Sequence, residues 1–366
     1  AVSGFTSTGF SIFENIKHLD ESLILWRSTS QWIGGLYFLF SIILLIDIFD
    51  DNLKKPLTNL ISFNTSETLK QSTKILILYT TLTFIIFIIL NIFNLRSFNS
   101  FNLSMTLISS GGFLPTNTLD VIVNTKTKEI VLSFLMLVSF FSLFLSYNLL
   151  TIKNKNLSFF QEDFYLFLYF IFLVLFFFFI LNESNDFSTT FLSITSSISN
   201  IGISLQGSYK NSYFIILIIT IIGGSFFSTS SGIRVVKVYS LFKFSMNELA
   251  SHAKPLNVYV NKLEFSGSKL ETADINKYFI SVLIFILSLL ALSSLLTISG
   301  ITLENAFKLS ILTLMNTANS SIHGLSEFNF NELQYFTKYF LVIFMIIGRV
   351  ELLTLLIILK KFLFKN

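Results

Sequence analysis

The segment Ile222-Gly223-Gly224-Ser225-Phe226-Phe227-Ser228-Thr229-Ser230-Ser231-Gly232-Ile233-Arg234 lies inside an apolar run that reaches from Tyr213 to Phe244. Glycines and a block of hydroxyls break what would otherwise be a helix long enough to cross a bilayer. Such a break frees backbone N–H and C=O groups that lipid cannot satisfy, so it survives only against protein or a water-filled cavity. The stretch Gly223–Gly232 is longer than a helix kink needs. It is not a nucleotide-phosphate loop, because no Gly-Lys-Ser/Thr follows. The reading is an intramembrane loop acting as a gate, with Gly223, Gly224, Ser225, Ser230 and Gly232 as its turning and bonding residues.

Composition agrees with that setting. Of 366 residues, 52% are hydrophobic and 13% charged, with 45 Phe and only 3 Pro, against roughly 25% charged residues in soluble domains. The chain has no Cys, which excludes disulfides, thiolate metal sites and cysteine nucleophiles. A net charge of +4 is too small and dispersed for nucleic acid. His18, His252 and His323 fall in separate segments, without the spacing of a zinc site.

Six further stretches approach the roughly 20 apolar residues that a spanning helix requires: Leu23–Phe49, Lys74–Phe93, Ile130–Leu150, Phe164–Leu181, Tyr278–Ile298 and Tyr335–Phe364. Short polar links alternate with longer segments rich in Ser, Thr, Asn and Gly. The expected architecture is an all-α integral membrane protein of helix–re-entrant loop–helix repeats. Repeat 1 covers 1–50, with its pore loop and second helix but not its first helix. A cytoplasmic link (51–73), repeat 2 (74–150), a second link (151–163) and repeat 3 with the broken helix (164–245) follow. A third link (246–275) and repeat 4 (276–366) complete the chain. Of the 25 Lys and Arg residues, 16 fall on the side of the links and the C-terminal tail, which the positive-inside bias places in the cytoplasm. The opposite face is slightly acidic, which mildly enriches cations there.

Each re-entrant segment closes on a hydroxyl-rich peptide with a glycine: Thr6-Ser7-Thr8-Gly9-Phe10, Ser109-Ser110-Gly111-Gly112-Phe113, Ser199-Asn200-Ile201-Gly202-Ile203, and Ser320-Ser321-Ile322-His323-Gly324. Small residues at membrane depth can simply let helices pack closely. Four in register point instead to pore loops, whose glycines let successive carbonyl oxygens replace the hydration shell of a monovalent cation. The short helices before them, such as Leu103–Ile108 and Phe187–Ile198, aim their negative C-terminal ends at the ion. The candidate ion-binding residues are Thr8, Gly9, Gly111, Gly112, Ile201, Gly202, His323 and Gly324.

Several of these stretches resemble the Trk/Ktr/HKT superfamily of potassium transporters, and within it the TrkH- and KtrB-like ion-translocating subunits. Leu25-Trp26-Arg27-Ser28-Thr29-Ser30-Gln31-Trp32-Ile33-Gly34-Gly35 is similar to the helix entry after the first pore loop. The 222–234 segment is similar to the gating loop of the third repeat. Glu248-Leu249, His252, Pro255 and Gly267 resemble the link before the last repeat, and Ile347-Gly348-Arg349-Val350-Glu351 the final helix. The resemblance implies a pseudo-fourfold pore and a homodimer in the lipid of the cytoplasmic (inner) membrane. It also implies cytoplasmic nucleotide-binding regulatory subunits of the TrkA or KtrA type. It makes Gly9, Gly112, Gly202 and Gly324 the filter glycines, and Gly9, where sodium-preferring plant relatives have Ser, favours potassium. No cofactor is implied beyond K⁺ as cargo.

Arg349 stands alone in an apolar helix, where an Arg costs about 2.5–3.5 kcal/mol and normally faces a cavity or a partner. The expectation is that it faces the pore below the filter. The structural alternative is contact with carbonyls or with Glu351, which points from another helix face. Trp26, Trp32 and Arg27 read as interfacial residues. The expected function is potassium uptake without a chemical step, so the chain is not expected to be an enzyme. The alternative is a secondary transporter of another cation or small solute, which predicts paired broken helices in inverted repeats.

Overall fold

The computed structural model describes residues 1–13, 15–49, 65–143, 160–179, 186–205, 213–253, 264–265, 268–269, 272–325 and 328–350. It is helical apart from a two-residue antiparallel ladder, Glu264–Phe265 against Ser268–Lys269. In chain order the helices are α1 (Val2–Phe5), α2 (Glu21–Phe49), α3 (Thr65–Ile92), α4 (Ser97–Ile108), α5 (Lys126–Phe140), α6 (Phe160–Phe179), α7 (Phe187–Ile198), α8 (Tyr213–Ile221), α9 (Val235–Ala253), α10 (Thr272–Ile298), α11 (Leu303–Leu314) and α12 (Tyr335–Val350).

The short helices are enclosed by the long ones. Helix α4 packs on α2, α3 and α5, α7 on α5, α6 and α8, and α11 on α8, α10 and α12, while α1 lies against α2 and α12. An apolar cluster surrounds each of the three longer inner helices. Leu103 and Leu107 anchor the first, Phe191 and Ile194 the second, and Leu309 and Leu312 the third. Close approach is allowed by missing side chains: a Cβ on Gly34 would overlap the Phe5 carbonyl of α1, and one on Gly348 the Leu314 carbonyl of α11.

The distribution of polarity is reversed from that of a soluble protein. Buried positions include Ser100, Asn102, Ser104 and Thr106 of α4, Thr195, Ser196 and Ser197 of α7, and Ser310 and Thr313 of α11. The outward faces carry Phe164, Phe167, Phe172 and Phe179 on α6, and Phe279, Leu283 and Leu287 on α10. Exposed apolar area of this extent marks a membrane or protein contact. Among the described residues, three helical segments are long and apolar enough to cross a membrane: Ser72–Ile92, Glu162–Phe179 and Ile275–Ile298. The expected run Tyr213–Phe244 is divided, as its glycines suggested, into α8, the 222–234 loop and α9. The expected spans Ile130–Leu150 and Tyr335–Phe364 are described only as far as 143 and 350, and most of the links at 51–73 and 151–163 lie outside the described residues.

An arginine at Phe172, which is 63% exposed on α6, is expected to lower the membrane-integrated fraction, because a mid-span Arg costs about 2.5–3.5 kcal/mol. Phe172→Leu leaves that fraction unchanged. Carbonate extraction of cell membranes measures both variants.

Candidate functional site: four helix ends beneath a hydroxyl-rich loop

Helices α1, α4, α7 and α11 end in the same way. Their C-cap residues Thr6, Ser109, Ser199 and Met315 are right-handed, with φ of −84, −85, −77 and −85°. The next residue is left-handed each time: Ser7 (φ 55°), Ser110 (54°), Asn200 (58°) and Asn316 (49°). The following N–H then returns to the last helical turn, from Thr8 to the Ser3 carbonyl (2.9 Å), Gly111 to Thr106 (2.9 Å), Ile201 to Ser196 (3.1 Å) and Thr317 to Leu312 (2.9 Å). This is a Schellman-type helix ending made without glycine at the left-handed position.

Three hydrogen bonds link the turns, second to third, third to fourth and fourth to first, and the close approach of Gly9 to Gly112 completes a ring. The Gln31 carboxamide of α2 braces the second turn from outside, at the Thr106 hydroxyl (3.2 Å) and the Phe113 N–H (3.3 Å). Ser110 Oγ donates to the Ser199 carbonyl of the third turn. Asn200 Nδ2 donates to Thr317 Oγ1 of the fourth (3.1 Å), and Asn316 Nδ2 closes the ring on Thr8 Oγ1 (2.9 Å). The third residue past each C-cap reaches the centre: Gly9, Gly112, Gly202 and Ala318. A Cβ built on Gly9 would stand 2.8 Å from the Ala318 methyl, and one on Gly202 would be 2.7 Å from the Ala318 nitrogen.

Gly9, Gly112 and Gly202, with Thr8, Gly111 and Ile201 beside them, are therefore brought together. Gly324 and His323 are not, and the fourth position belongs to Ala318. Gly324 instead caps a short 3₁₀ turn, Ser321–His323, with φ 69°. It faces Lys308 Nζ and the Tyr213 ring. His323 is fully buried, 3.5 Å from Ser320 Oγ, and its Nε2 has no partner among the described residues. The reason is conformational. Asn316 makes the left-handed turn, and Ala318 lies outside the positive-φ region, so the fourth turn needs no glycine.

The 222–234 loop lies across these helix ends. Its neck is a parallel bridge between Ile222 and Ile233, with the Gly223 N–H on the Ile233 carbonyl and the Ile233 N–H on that of Ile221, both at 2.9 Å. Gly232, at φ 92°, faces Gly223 there with no room for a side chain on either. Arg234 Nη1 gathers the loop from within, donating to the carbonyls of Ser225 (2.9 Å) and Ser230 (3.0 Å) and to Ser228 Oγ (3.1 Å). The Gly224 N–H donates to Ser230 Oγ (3.0 Å). A carboxylate at the start of α6 holds the outside of the loop, the Phe226 N–H donating to Glu162 Oε1 (2.8 Å), and beside it Asp163 Oδ1 accepts from the Ser142 N–H just past α5 (3.1 Å).

Two contacts tie the loop to the ring of turns. Thr229 Oγ1 donates to the carbonyl of Ile108, the last residue of α4 (2.7 Å). Arg349 donates to the Thr229 carbonyl (3.2 Å) and Ser231 Oγ (2.8 Å), and reaches Ser7 Oγ of the first turn (3.4 Å). The Phe38 ring covers its guanidinium at 4.2 Å. Arg349 thus sits at the junction of loop and turn among neutral oxygens, and Glu351 lies outside the described residues. Arg27 is buried against the Phe113 ring (4.3 Å) and Ser11 Oγ (3.2 Å), Trp32 donates to Thr83 of α3 (3.0 Å), and Trp26 is exposed.

Sequence reasoning missed Ala318, Asn316, Glu162 and Asp163. The repeated C-cap-plus-one Ser or Asn was the available signal for Asn316. Replacing Asn316 with Ala removes its bonds to Thr8 and to the Met345 carbonyl (2.9 Å) and leaves a β-carbon at φ 49°. A loss of about 2–4 kcal/mol is expected. Asn316→Gly loses the bonds but not the backbone fit, and falls between the two. Thermal unfolding in detergent measures the series.

Comparison with protein-family profiles gives no match. The chain is 24% identical over 378 aligned positions to the Trk system potassium uptake protein TrkH of Escherichia coli, covering 97% of this chain and 76% of that protein. It is 23% identical to an uncharacterized cation transporter of Methanocaldococcus jannaschii, over 81% of this chain and 61% of the relative's length. The crystal structure of the potassium transporter TrkH from Vibrio parahaemolyticus superposes with a TM-score of 0.84 at 18% identity, over 98% of this chain and 76% of that one. In sequence along nearly its whole length, and in fold, the chain resembles the Trk-type potassium transporters.

Proposed function

We propose that the chain is the ion-translocating part of a potassium uptake system, in which the four central turns form the selectivity filter and the 222–234 loop the gate. The observation that carries this reading is the convergence of four buried helix C-termini in one repeated left-handed turn. Helix C-termini carry partial negative charge, and four aimed at one point stabilise a dehydrated cation there without any carboxylate. The names of the similar proteins agree, since those relatives are a potassium uptake protein and a cation transporter.

In this reading K⁺ leaves water at the outer mouth and binds carbonyl oxygens around Gly9, Gly112, Gly202 and Ala318. Ala318 takes the fourth place expected for Gly324. The ion then passes inward where Thr229, Ser231 and Arg349 meet. The guanidinium below the filter limits how many cations occupy the inner vestibule. Bonds from Arg234, Glu162 and Thr229 hold the loop in place, and regulatory subunits on the cytoplasmic side supply the work to displace it. The repeats run 1–50, 74–150, 164–245 and 276–366 about the filter, and the working assembly is a homodimer in the inner membrane. No bond is made or broken in the cargo, so the protein is a transporter and not an enzyme.

Rubidium uptake tests the proposal in cells lacking their own potassium uptake, with the full-length gene and its regulatory partner supplied. Gly112→Ser and Gly202→Ser put atoms where the Ala318 methyl and backbone already stand. They are expected to reduce uptake at least about tenfold, the kinetic equivalent of 1.4 kcal/mol, or to make it sodium-permeable. Absence of rubidium flux from well-expressed wild-type protein supports the solute-transporter alternative instead.

A further inference from the structure

Three buried residues of α2, Gln31, Gly35 and Phe38, follow the spacing that puts side chains on one face of a helix. Gln31 braces the second turn, and a Cβ on Gly35 would stand 2.9 Å from the Ser109 side chain at the C-cap of α4. Phe38 comes next on that face, about 10 Å along the axis from Gln31, and it meets the 222–234 loop region instead of a turn. The Arg349 guanidinium lies over its ring, 4.2 Å from the centroid, and the Arg234 guanidinium lies over the same ring at 5.4 Å. These two arginines divide the loop between them. Arg234 takes oxygens of Ser225, Ser228 and Ser230, and Arg349 takes those of Thr229 and Ser231.

From this geometry we infer that Phe38 is a positioning residue of the gate, a single aromatic ring that holds both loop-binding guanidiniums where the closed loop needs them. The inference rests on the gating role proposed above for the loop, and goes beyond it by giving a residue of the first repeat part of the closing force. A guanidinium is drawn to the negative face of an aromatic ring, most strongly where water is excluded. Arg234, Arg349 and Phe38 are all buried, at 3%, 6% and 8% exposure. An aliphatic side chain fills much of the same space without that attraction, and leaves two like charges crowded at one site. Arg234 ends the loop, Arg349 belongs to α12 and Phe38 to α2, so the ring is the point at which three segments of the chain are fastened together. Displacing the loop draws Arg234 off the ring and takes from Arg349 the oxygens that hold it there.

Rubidium uptake by the full-length protein tests this, in cells lacking their own potassium uptake, with and without the TrkA-type subunit of the same organism. The ratio of subunit-free to subunit-supplied uptake reads how firmly the gate is held and cancels differences in expression. Phenylalanine carrying one, two or three ring fluorines, placed at Phe38 by nonsense suppression, keeps the shape of the side chain while draining charge from its face. The ratio is expected to rise stepwise with each fluorine and to reach about tenfold over wild type, within what one desolvated contact of this kind supports. Phe38→Leu is expected to reach at least that value; where it does not accumulate in the membrane, the fluorinated series decides alone. If the fluorinated proteins keep the wild-type ratio, the ring only fills space, and the inference fails while the potassium reading stands. A wild-type ratio near one overturns it too, because the loop is then not held shut. If wild type takes up no rubidium with the subunit supplied and expression normal, the potassium reading falls and this inference falls with it.

Discussion

The centre of this molecule depends on one backbone conformation, a non-glycine residue held left-handed directly after a buried helix C-terminus. Each instance costs about 1–2 kcal/mol relative to the right-handed form, and Ser7, Ser110, Asn200 and Asn316 all adopt it. Glycine would relieve that cost at every turn. It would also remove the ties that fix the turns to one another, because Asn200 and Asn316 each donate to the next turn in the ring and to a carbonyl on another element, Thr220 and Met345. The strain is offset by bonds that only a side chain at that position can make. Asn, which tolerates this region better than other polar residues, occupies the two turns with the most such bonds.

The hydroxyls of the inner helices solve a related problem. Ser104, Thr195, Ser197, Ser310 and Thr313 lie in the interior, and each donates to a carbonyl three or four residues back on its own helix. Polar side chains are thereby satisfied without water or a partner, and phenylalanines cover the outside. Two of the buried arginines, Arg234 and Arg349, are treated differently. Arg234 bonds within the 222–234 loop that it ends, while Arg349 on α12 finds its acceptors mainly on that loop, so displacing the loop would strip the buried Arg349 guanidinium of oxygens. Desolvated charges left unpaired are costly, and the loop is held as much by what its departure would expose as by its own bonds.

Hydropathy made the long helices and the divided fifth span legible, because lipid-facing segments and interrupted helices follow from composition alone. Three central turns were readable from Gly9, Gly112 and Gly202. Arg349 was legible as an engaged charge, and the partners it has are the carbonyl and hydroxyl oxygens of the alternative to a pore-facing position. The fourth turn is not legible from its glycine: Gly324 is left-handed but caps a separate 3₁₀ turn, while the fourth helix end turns on Asn316, as the others do on Ser7, Ser110 and Asn200, and carries Ala318 where they carry glycine. Glu162 and Asp163 were hidden for another reason. At the start of an apolar helix after a polar link, two carboxylates look solvated, and only the tertiary structure shows Glu162 accepting the Phe226 N–H of a loop that begins some sixty residues later.

The presence of Ala318 beside three glycines bears on how a ring of this kind can evolve. In a homotetramer any side chain at the central position appears four times, and four methyls in the space that Gly112 and Ala318 share could not be accommodated. Here one chain supplies all four turns, so each central residue can change alone. Three positions without side chains leave room for one methyl, and that methyl in turn excludes a Cβ from the opposite position. The steric constraint is thus shared unequally around the ring, with the fourth turn relaxed from glycine because the second is not.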